Sequence, residues 1–88
     1  MERRTRYDIY QSILDVVRRR GSIGITRISY SVGIPVDRAK TAVSFLVEKG
    51  LVEEEDYGET KRYKLTAKGG ESLQALKTVK KYFDSERD

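Results

Sequence analysis

The chain has 88 residues, of which 38% are hydrophobic and 36% are charged, and its formal net charge is +4. This length suits one small domain with a modest core, and the composition is that of a folded chain. The absence of cysteine and histidine excludes disulfides, thiolate metal sites and the commonest general base. No stretch reaches the roughly 18 apolar residues that a membrane span needs. We therefore expect a cytoplasmic protein without membrane association, enzymatic activity, metal, cofactor or evident small-molecule ligand.

Positive and negative charges occupy different parts of the sequence. Residues 1–40 carry nine Lys or Arg and four Asp or Glu, residues 41–60 carry one and six, and residues 61–88 carry eight and four. The acidic run at 53–56 separates the two basic regions. This distribution predicts one basic face and one acidic patch. The basic face favours an anionic partner, although charge alone does not distinguish DNA from RNA.

The first predicted element is a helix that begins after Thr5. Thr5 and Asp8 have the spacing of a capping pair, and apolar residues recur at helical spacing between positions 9 and 17. Three arginines at 18–20 fall in the last turn, where cations complement the helix dipole, and Gly21 can end the helix. These arginines are interpreted as helix-end charges, with phosphate contact as the alternative.

A helix-turn-helix is predicted next. A short strand at 22–25 is followed by a helix for which Thr26 is the expected N-cap and Gly33 the end. A third helix then begins at about Pro35 and continues to Lys49. Glycine can adopt the left-handed conformation that a sharp reversal needs, and proline suits a first helical position. Two helices joined by such a turn are typical of DNA-binding domains.

The third helix is expected to be amphipathic. Its predicted inner side carries Val36, Ala39, Val43, Leu46 and Val47, and its outer side carries Asp37, Arg38, Thr41, Ser44 and Glu48. A polar outer face is what a helix needs to enter a DNA major groove. Phe45 is the odd apolar residue on the open side, so it is covered by the wing or another helix, or it marks a partner surface.

A β-hairpin and a last helix complete the pattern. Residues 51–57 and 61–65 are strand-like runs joined by a turn at 58–60. Thr66 is the expected cap of the last helix, whose early Gly69 and Gly70 are unfavourable for helix formation and predict a close approach of the backbone to a neighbour. The order α1-β1-α2-α3-β2-β3-α4 predicts an α+β, mainly helical winged helix-turn-helix.

The sequence also resembles a family of archaeal winged-helix DNA-binding proteins, namely small dimeric chromatin-associated proteins and archaellum-regulator-type repressors. The resemblance is carried by TRISYSVGIPVDRAKTAVSFLVEKGLV at 26–52 and YKLTAKG at 63–69. The start Thr-Arg-Ile-x-Tyr, matched at 26–30, is the more specific element. The resemblance implies double-stranded DNA binding by a homodimer associated with the nucleoid. Chromatin-type relatives extend the last helix into an antiparallel coiled coil, so the last helix is the implied dimer element.

The third helix is expected to supply the base contacts in such a complex, while helix ends and wing hold phosphates. Arg38 is the candidate for bidentate pairing with a guanine, and its alternative role is that of a solvated surface arginine. Lys40 would reach the DNA backbone, and Thr41 and Ser44 suit phosphates or water-mediated contacts. Pro35, at the start of the same helix, is counted with this surface.

Further DNA-contact candidates lie outside the third helix. Arg27 would hold a phosphate or pair with a carboxylate. Tyr30 is expected at the edge of the core with its hydroxyl in water, and its alternative is to donate to a phosphate. In the wing at 57–62, Lys61 and Arg62 either contact DNA or, with Lys64, neutralise the acidic strand. The remaining candidates are the N-terminal arginines Arg3, Arg4 and Arg6.

The predicted organisation is a flexible basic arm at 1–5, a winged-helix domain at 6–65, a dimerisation helix at 66–84 and a frayed tail at 85–88. The stripe expected to pair with a second copy comprises Leu73, Leu76, Val79, Tyr82 and Phe83. Its alternative is to pack wholly on the first helix of the same chain. The predicted function is that of a dimeric transcriptional regulator or chromatin-associated protein. The alternative is a winged helix used for protein–protein contact in the transcription machinery.

Overall fold

The computed structural model describes residues 5–85 and confirms the predicted order of elements. The helices and strands are α1 Arg6–Arg20, β1 Ile23–Gly24, α2 Ile25–Val32, α3 Val36–Glu48, β2 Val52–Tyr57, β3 Thr60–Leu65 and α4 Ala67–Ser85. They form a winged helix-turn-helix in which β2 and β3 are the wing. Most of the predicted basic arm, including Arg3 and Arg4, and the last three residues of the predicted tail lie outside the described residues.

Helix α1 begins and ends as the sequence predicts. The Asp8 backbone N–H donates to the Thr5 hydroxyl at 3.1 Å, and the Thr5 N–H donates back to the Asp8 carboxylate at 3.0 Å. This backbone hydrogen bond from Thr5, together with Lys80, lowers the pKa of Asp8. Gly21 ends the helix with a φ of 82°, a backbone conformation that favours glycine.

The turn between α2 and α3 depends on Gly33. This residue has φ 79° and ψ 38°, the predicted left-handed conformation. The N–H groups of Gly33 and Ile34 both donate to the carbonyl of Ser29, and the buried Ser29 hydroxyl donates to the Ile34 carbonyl at 2.6 Å. Ile34 is half-buried against the core. Ser29 therefore fixes the turn both as an acceptor, through its carbonyl, and as a donor, through its hydroxyl.

Three details of α2 and α3 differ from the sequence prediction. The N-cap of α2 is Gly24 rather than Thr26, because the chain passes directly from the two-residue β1 into the helix. Pro35 is the N-cap of α3 rather than its first residue, since its ψ of 152° is extended. Val36 is exposed instead of facing inward, and Ala42 takes its place in the core.

The sheet has the order β1-β3-β2, and both strand pairs are antiparallel. Its register sets the acidic strand against the basic one, with Glu53 opposite Lys64 and Tyr57 opposite Thr60. The turn of the hairpin is therefore one residue shorter than predicted, because Thr60 is already paired. At the other edge, the short strand β1 pairs through Gly24 with Arg62.

The core lies between α1, α2, α3 and the root of α4. Its largest fully buried side chains are Ile13, Leu14, Ile23, Ile28, Leu46, Leu73, Val17, Val43 and Val52. The Thr66 hydroxyl accepts from the Gly69 N–H at 2.9 Å, which confirms the predicted cap of α4. A Cβ on Gly69 would collide with the Leu51 carbonyl, whereas one on Gly70 would meet only the Leu65 side chain at 3.8 Å. The close approach predicted for both glycines thus applies to Gly69 alone.

None of the helices within the described residues has the length and apolar character that a membrane crossing requires.

Candidate nucleic-acid interface

A groove of about 1010 Å³ separates α3 from the wing. Cationic residues line it from four places: the end of α1, the start of α2, the middle of α3 and the wing. These side chains are Arg20, Arg27, Lys40, Lys61 and Arg62. Two carboxylates, Glu54 and Glu59, lie at the wing side of the same groove. The groove is therefore a predominantly basic concavity beside α3.

Three of the groove cations are not engaged by the protein itself. Within residues 5–85, Arg20, Arg27 and Lys40 form no ion pair, and all three are exposed. Their neighbours Arg18 and Arg19 instead both bind the Asp15 carboxylate, at 3.2 and 3.3 Å. The arginine run at 18–20 is thus divided between a helix-end role for the first two and a groove position for the third. An unpaired cation can neutralise a phosphate without first breaking an internal contact.

The start of α2 adds backbone donors to this site. No side chain caps the helix at Gly24, and the next residues, including Thr26, line the groove. Uncapped N–H groups at a helix start favour anions because they carry the positive end of the helix dipole. The carboxylate pairing considered for Arg27 is not seen with any described acidic residue.

The outer face of α3 is open along its length. Arg38, Thr41 and Ser44 are all exposed, and Arg38 has no ion-pair partner in the described part of the chain. The Thr41 hydroxyl donates to the Asp37 carbonyl at 3.2 Å, so its oxygen remains available as an acceptor. Asp37 lies in the first turn of α3, where the helix dipole favours an acidic residue.

Two of the three wing cations, Lys61 and Lys64, pair with the acidic strand, whereas Arg62 does not. Lys61 lies 3.4 Å from Glu54, and Lys64 lies 3.4 Å from Glu55. Arg62 donates to both the hydroxyl and the carbonyl oxygen of Ser22, at 2.9 and 2.7 Å. The wing side of the groove is thus held by internal contacts, unlike the α1, α2 and α3 sides.

Two tyrosines of the wing interact with its carboxylates. The Tyr57 hydroxyl donates to Glu55 at 3.2 Å. Tyr63 is half-buried, and burial together with the negative charge of Glu54 raises its pKa. The Tyr63 hydroxyl therefore stays protonated near neutral pH. Tyr30 of α2 is 89% exposed and does not line the groove.

A second, largely apolar groove of about 510 Å³ lies between α1, α3 and α4. Phe45 is covered here by Tyr10 of α1 rather than by the wing, with the two rings stacked. On α4, Leu73 belongs to the core of its own chain, and Leu76 is half-buried beside it. The outer part of the predicted stripe is exposed, namely Val79 by 52%, Tyr82 by 64% and Phe83 by 63%. The stripe therefore does not pack wholly on α1.

The structure brings together only some of the predicted DNA contacts. Arg27, Lys40, Ser44, Lys61 and Arg62 line one groove, whereas Tyr30, Pro35, Arg38 and Thr41 lie on the adjoining exposed surface of α2 and α3. Arg6, the first residue of α1, is at the opposite end of that helix from Arg20. Arg20 was favoured as a helix-end charge, and its place in the groove follows from β1 pairing with β3 immediately after α1. That long-range pairing is not visible in a local sequence pattern.

Comparison with protein families assigns the chain. The winged helix-turn-helix family matches residues 3–83, and the protein belongs to this family. None of the curated proteins matches the sequence.

Solved structures agree with this assignment. The chain is similar to Sso10a-2, a DNA-binding protein from Sulfolobus solfataricus, with a TM-score of 0.82 and 26% identity over 94% of this chain and 84% of that one. It shares its fold with the transcriptional regulator BldR from the same organism, with a TM-score of 0.79 and 20% identity over 89% of this chain. A MarR family regulator from Silicibacter pomeroyi gives a TM-score of 0.71 at 18% identity, again over 89% of this chain. This chain spans 58% and 57% of the latter two proteins.

Proposed function

We propose that the protein binds double-stranded DNA as a homodimeric transcriptional regulator or chromatin-associated factor of the nucleoid. In this proposal α3 enters the major groove and the wing lies on the adjacent backbone or minor groove. The observation that supports it most is the convergence of Arg20, Arg27 and Lys40, none in an ion pair within residues 5–85, on the groove beside α3. Similarity to a DNA-binding protein at 26% identity adds support.

Each part of the surface has a proposed role. Arg38 reads a base edge, because it projects from the exposed start of α3 and a guanidinium can pair bidentately with guanine. Arg20, Arg27 and Lys40 bind phosphates and fix the position of the domain on the duplex. Thr41, Ser44 and Tyr30 add hydrogen bonds to phosphates or to ordered water, and the arginines before and at the start of α1 supply further positive charge.

The dimer is proposed to form through α4. Val79 lines the apolar groove, Tyr82 and Phe83 follow it along α4, and all three side chains are exposed. Pairing with the same helix of a second copy would bury these side chains and place two recognition helices against one duplex. The expected gain is the burial of three large side chains that a lone chain leaves in water.

A protein–protein role is the second candidate. The exposed acidic residues Glu53 and Asp56 on β2 favour it, because they oppose a phosphate backbone on that side of the wing. Under this alternative, the protein would bind no duplex in a salt-sensitive way, even at micromolar concentration.

The proposed function is tested by titrating a labelled duplex with the protein over a range of salt concentrations. The binding constant should fall steeply with salt, and Arg20→Ala and Arg27→Ala should each lower the log–log slope by about 0.9, the value for one phosphate contact. Arg18→Ala is the matched control, since it removes the same charge from an arginine already bound to Asp15. Binding that is absent, or independent of salt, would overturn the proposal.

A further inference from the structure

Arg62 makes a contact that joins the wing to the end of α1. Its Nε donates to the Ser22 hydroxyl at 2.9 Å, and its Nη2 donates to the Ser22 carbonyl at 2.7 Å, across 40 residues of sequence. Two donors of one planar guanidinium therefore hold two acceptors of one residue. A lysine ammonium cannot reproduce this paired geometry.

The same serine connects Arg62 to the acidic strand. The Ser22 hydroxyl donates to Glu55 at 3.5 Å, and Glu55 also accepts from Tyr57 and pairs with Lys64. The Arg62 guanidinium is thus part of a continuous network, in contrast to the unpaired Arg20 and Arg27. The two bonds to Ser22 occupy the Nε–Nη2 edge of the guanidinium, so a bidentate phosphate contact through that edge would require Arg62 to give them up.

The backbone alone holds this edge of the wing weakly. Strand β1 has two residues, and Gly24 is paired directly with Arg62. The residue after that pair towards the tip is Lys61, which lines the DNA groove. The side-chain contact between Arg62 and Ser22 therefore reinforces the wing immediately before the groove-lining segment.

We propose that Arg62 is a positioning residue: it fixes the wing to the turn after α1 through Ser22, and thereby holds Lys61 at the groove, without contacting a phosphate itself. This inference rests on the proposed function and assigns to Arg62 a different role from the other groove cations. Its partner is the Ser22 side chain and backbone of the same chain.

The test compares Arg62→Lys, Arg62→Ala and Ser22→Ala in the duplex titration. A positioning residue predicts that Arg62→Lys weakens binding as much as Arg62→Ala, by about tenfold, equivalent to one charge-assisted hydrogen bond, and that neither changes the salt slope. Ser22→Ala should give a smaller loss in the same direction, because the bond to its carbonyl remains. Arg18→Ala is the control for loss of one positive charge.

A second measurement reports on the wing in the free protein. Hydrogen exchange at Thr60 and Lys61 should become faster in both Arg62 variants and stay unchanged in Arg18→Ala. If the wild type binds DNA, but Arg62→Lys binds equally well and Arg62→Ala lowers the slope by about 0.9, Arg62 contacts a phosphate and the inference is wrong. If the wild type binds no duplex, the proposed function fails, whereas the exchange result still decides whether Arg62 fixes the wing.

Discussion

The ring of Phe45 on α3 stacks on the ring of Tyr10 on α1, with centroids 4.9 Å apart and planes 13° from parallel. The Lys49 ammonium lies over the same Phe45 ring, 5.5 Å from its centroid. Helix α3 is thus joined to α1 by an aromatic contact at the end away from Pro35.

Phe45→Ala should therefore lower the free energy of unfolding by about 2 kcal/mol. This is less than the same substitution costs at a fully buried site, because the Phe45 ring is partly exposed. Tyr10→Ala should cost a similar amount. In a double-mutant cycle measured by urea unfolding, the two changes should couple by about 1 kcal/mol. Additive effects would mean that the stacked rings do not stabilise each other.

Gly69 and Gly70 provide a matched pair of substitutions on α4. Helix propensity alone predicts that alanine at either position stabilises the protein by about 1 kcal/mol. Gly70→Ala should do so, because its Cβ would make only an ordinary contact with Leu65. Gly69→Ala should instead destabilise the protein by about 3 kcal/mol, since its Cβ would collide with the Leu51 backbone. Thermal unfolding of the two variants measures this difference. Equal changes in unfolding temperature would contradict the close approach at Gly69.

Asp15 should make stability depend on pH. Burial, the largest single influence, raises its pKa, but hydrogen bonds from Lys77, Arg18 and Arg19 together lower it below the ordinary value. A lowered carboxylate pKa stabilises the fold above the unfolded pKa, and this contribution is lost as the pH falls through the folded pKa. Asp15→Asn should therefore lower the free energy of unfolding by about 1 kcal/mol near neutral pH. The cost should disappear in acid.

Urea unfolding of wild type and Asp15→Asn at several pH values measures this difference. Glu48→Gln is the control, because Glu48 is exposed and forms no ion pair in the described range 5–85. A cost for Asp15→Asn that stays constant down to acid pH would exclude an electrostatic origin.

The proposed dimer gives a prediction that separates assembly from folding. Phe83→Asp and Val79→Asp should convert the protein to a monomer that still folds, because both side chains are exposed in the single chain. Gln74→Asp, on the face of α4 opposite Phe83, should leave the mass in solution unchanged. Sedimentation measures the mass, and a monomeric wild type at high micromolar concentration would exclude the dimer.

Arg38 should control sequence preference rather than overall affinity. With a duplex selected from a random pool by the wild type, Arg38→Ala should reduce the preference over random duplex by about 5- to 100-fold. Arg27→Ala should weaken both duplexes equally, since a phosphate contact carries no sequence information. An unchanged preference in Arg38→Ala would remove Arg38 from the base-reading surface.

The fold was predictable because its signals are local. The capping pair of Thr5 and Asp8, the left-handed Gly33 and the strand-turn-strand pattern of the hairpin each depend on neighbouring residues, and the structure confirms them. The positions and internal contacts of the cationic side chains were not predictable in this way. Arg20 reaches the groove and Arg62 binds Ser22 only because β1 pairs with β3 across the sequence. The prediction of Thr26 as the N-cap of α2 was wrong for the same reason. The end of β1, and with it the start of α2, depends on that pairing.

The short wing limits how far the protein can reach along a duplex. Beyond the pair between Gly24 and Arg62, β3 continues towards the tip for two residues, and the turn adds Gly58 and Glu59. At about 3.3 Å per strand residue, this free part projects by roughly 10 Å. In the proposed complex, such a projection would touch DNA next to α3 and end within the same helical turn of the duplex. A nuclease footprint of one bound subunit should accordingly be compact, and a longer footprint would have to come from the second subunit.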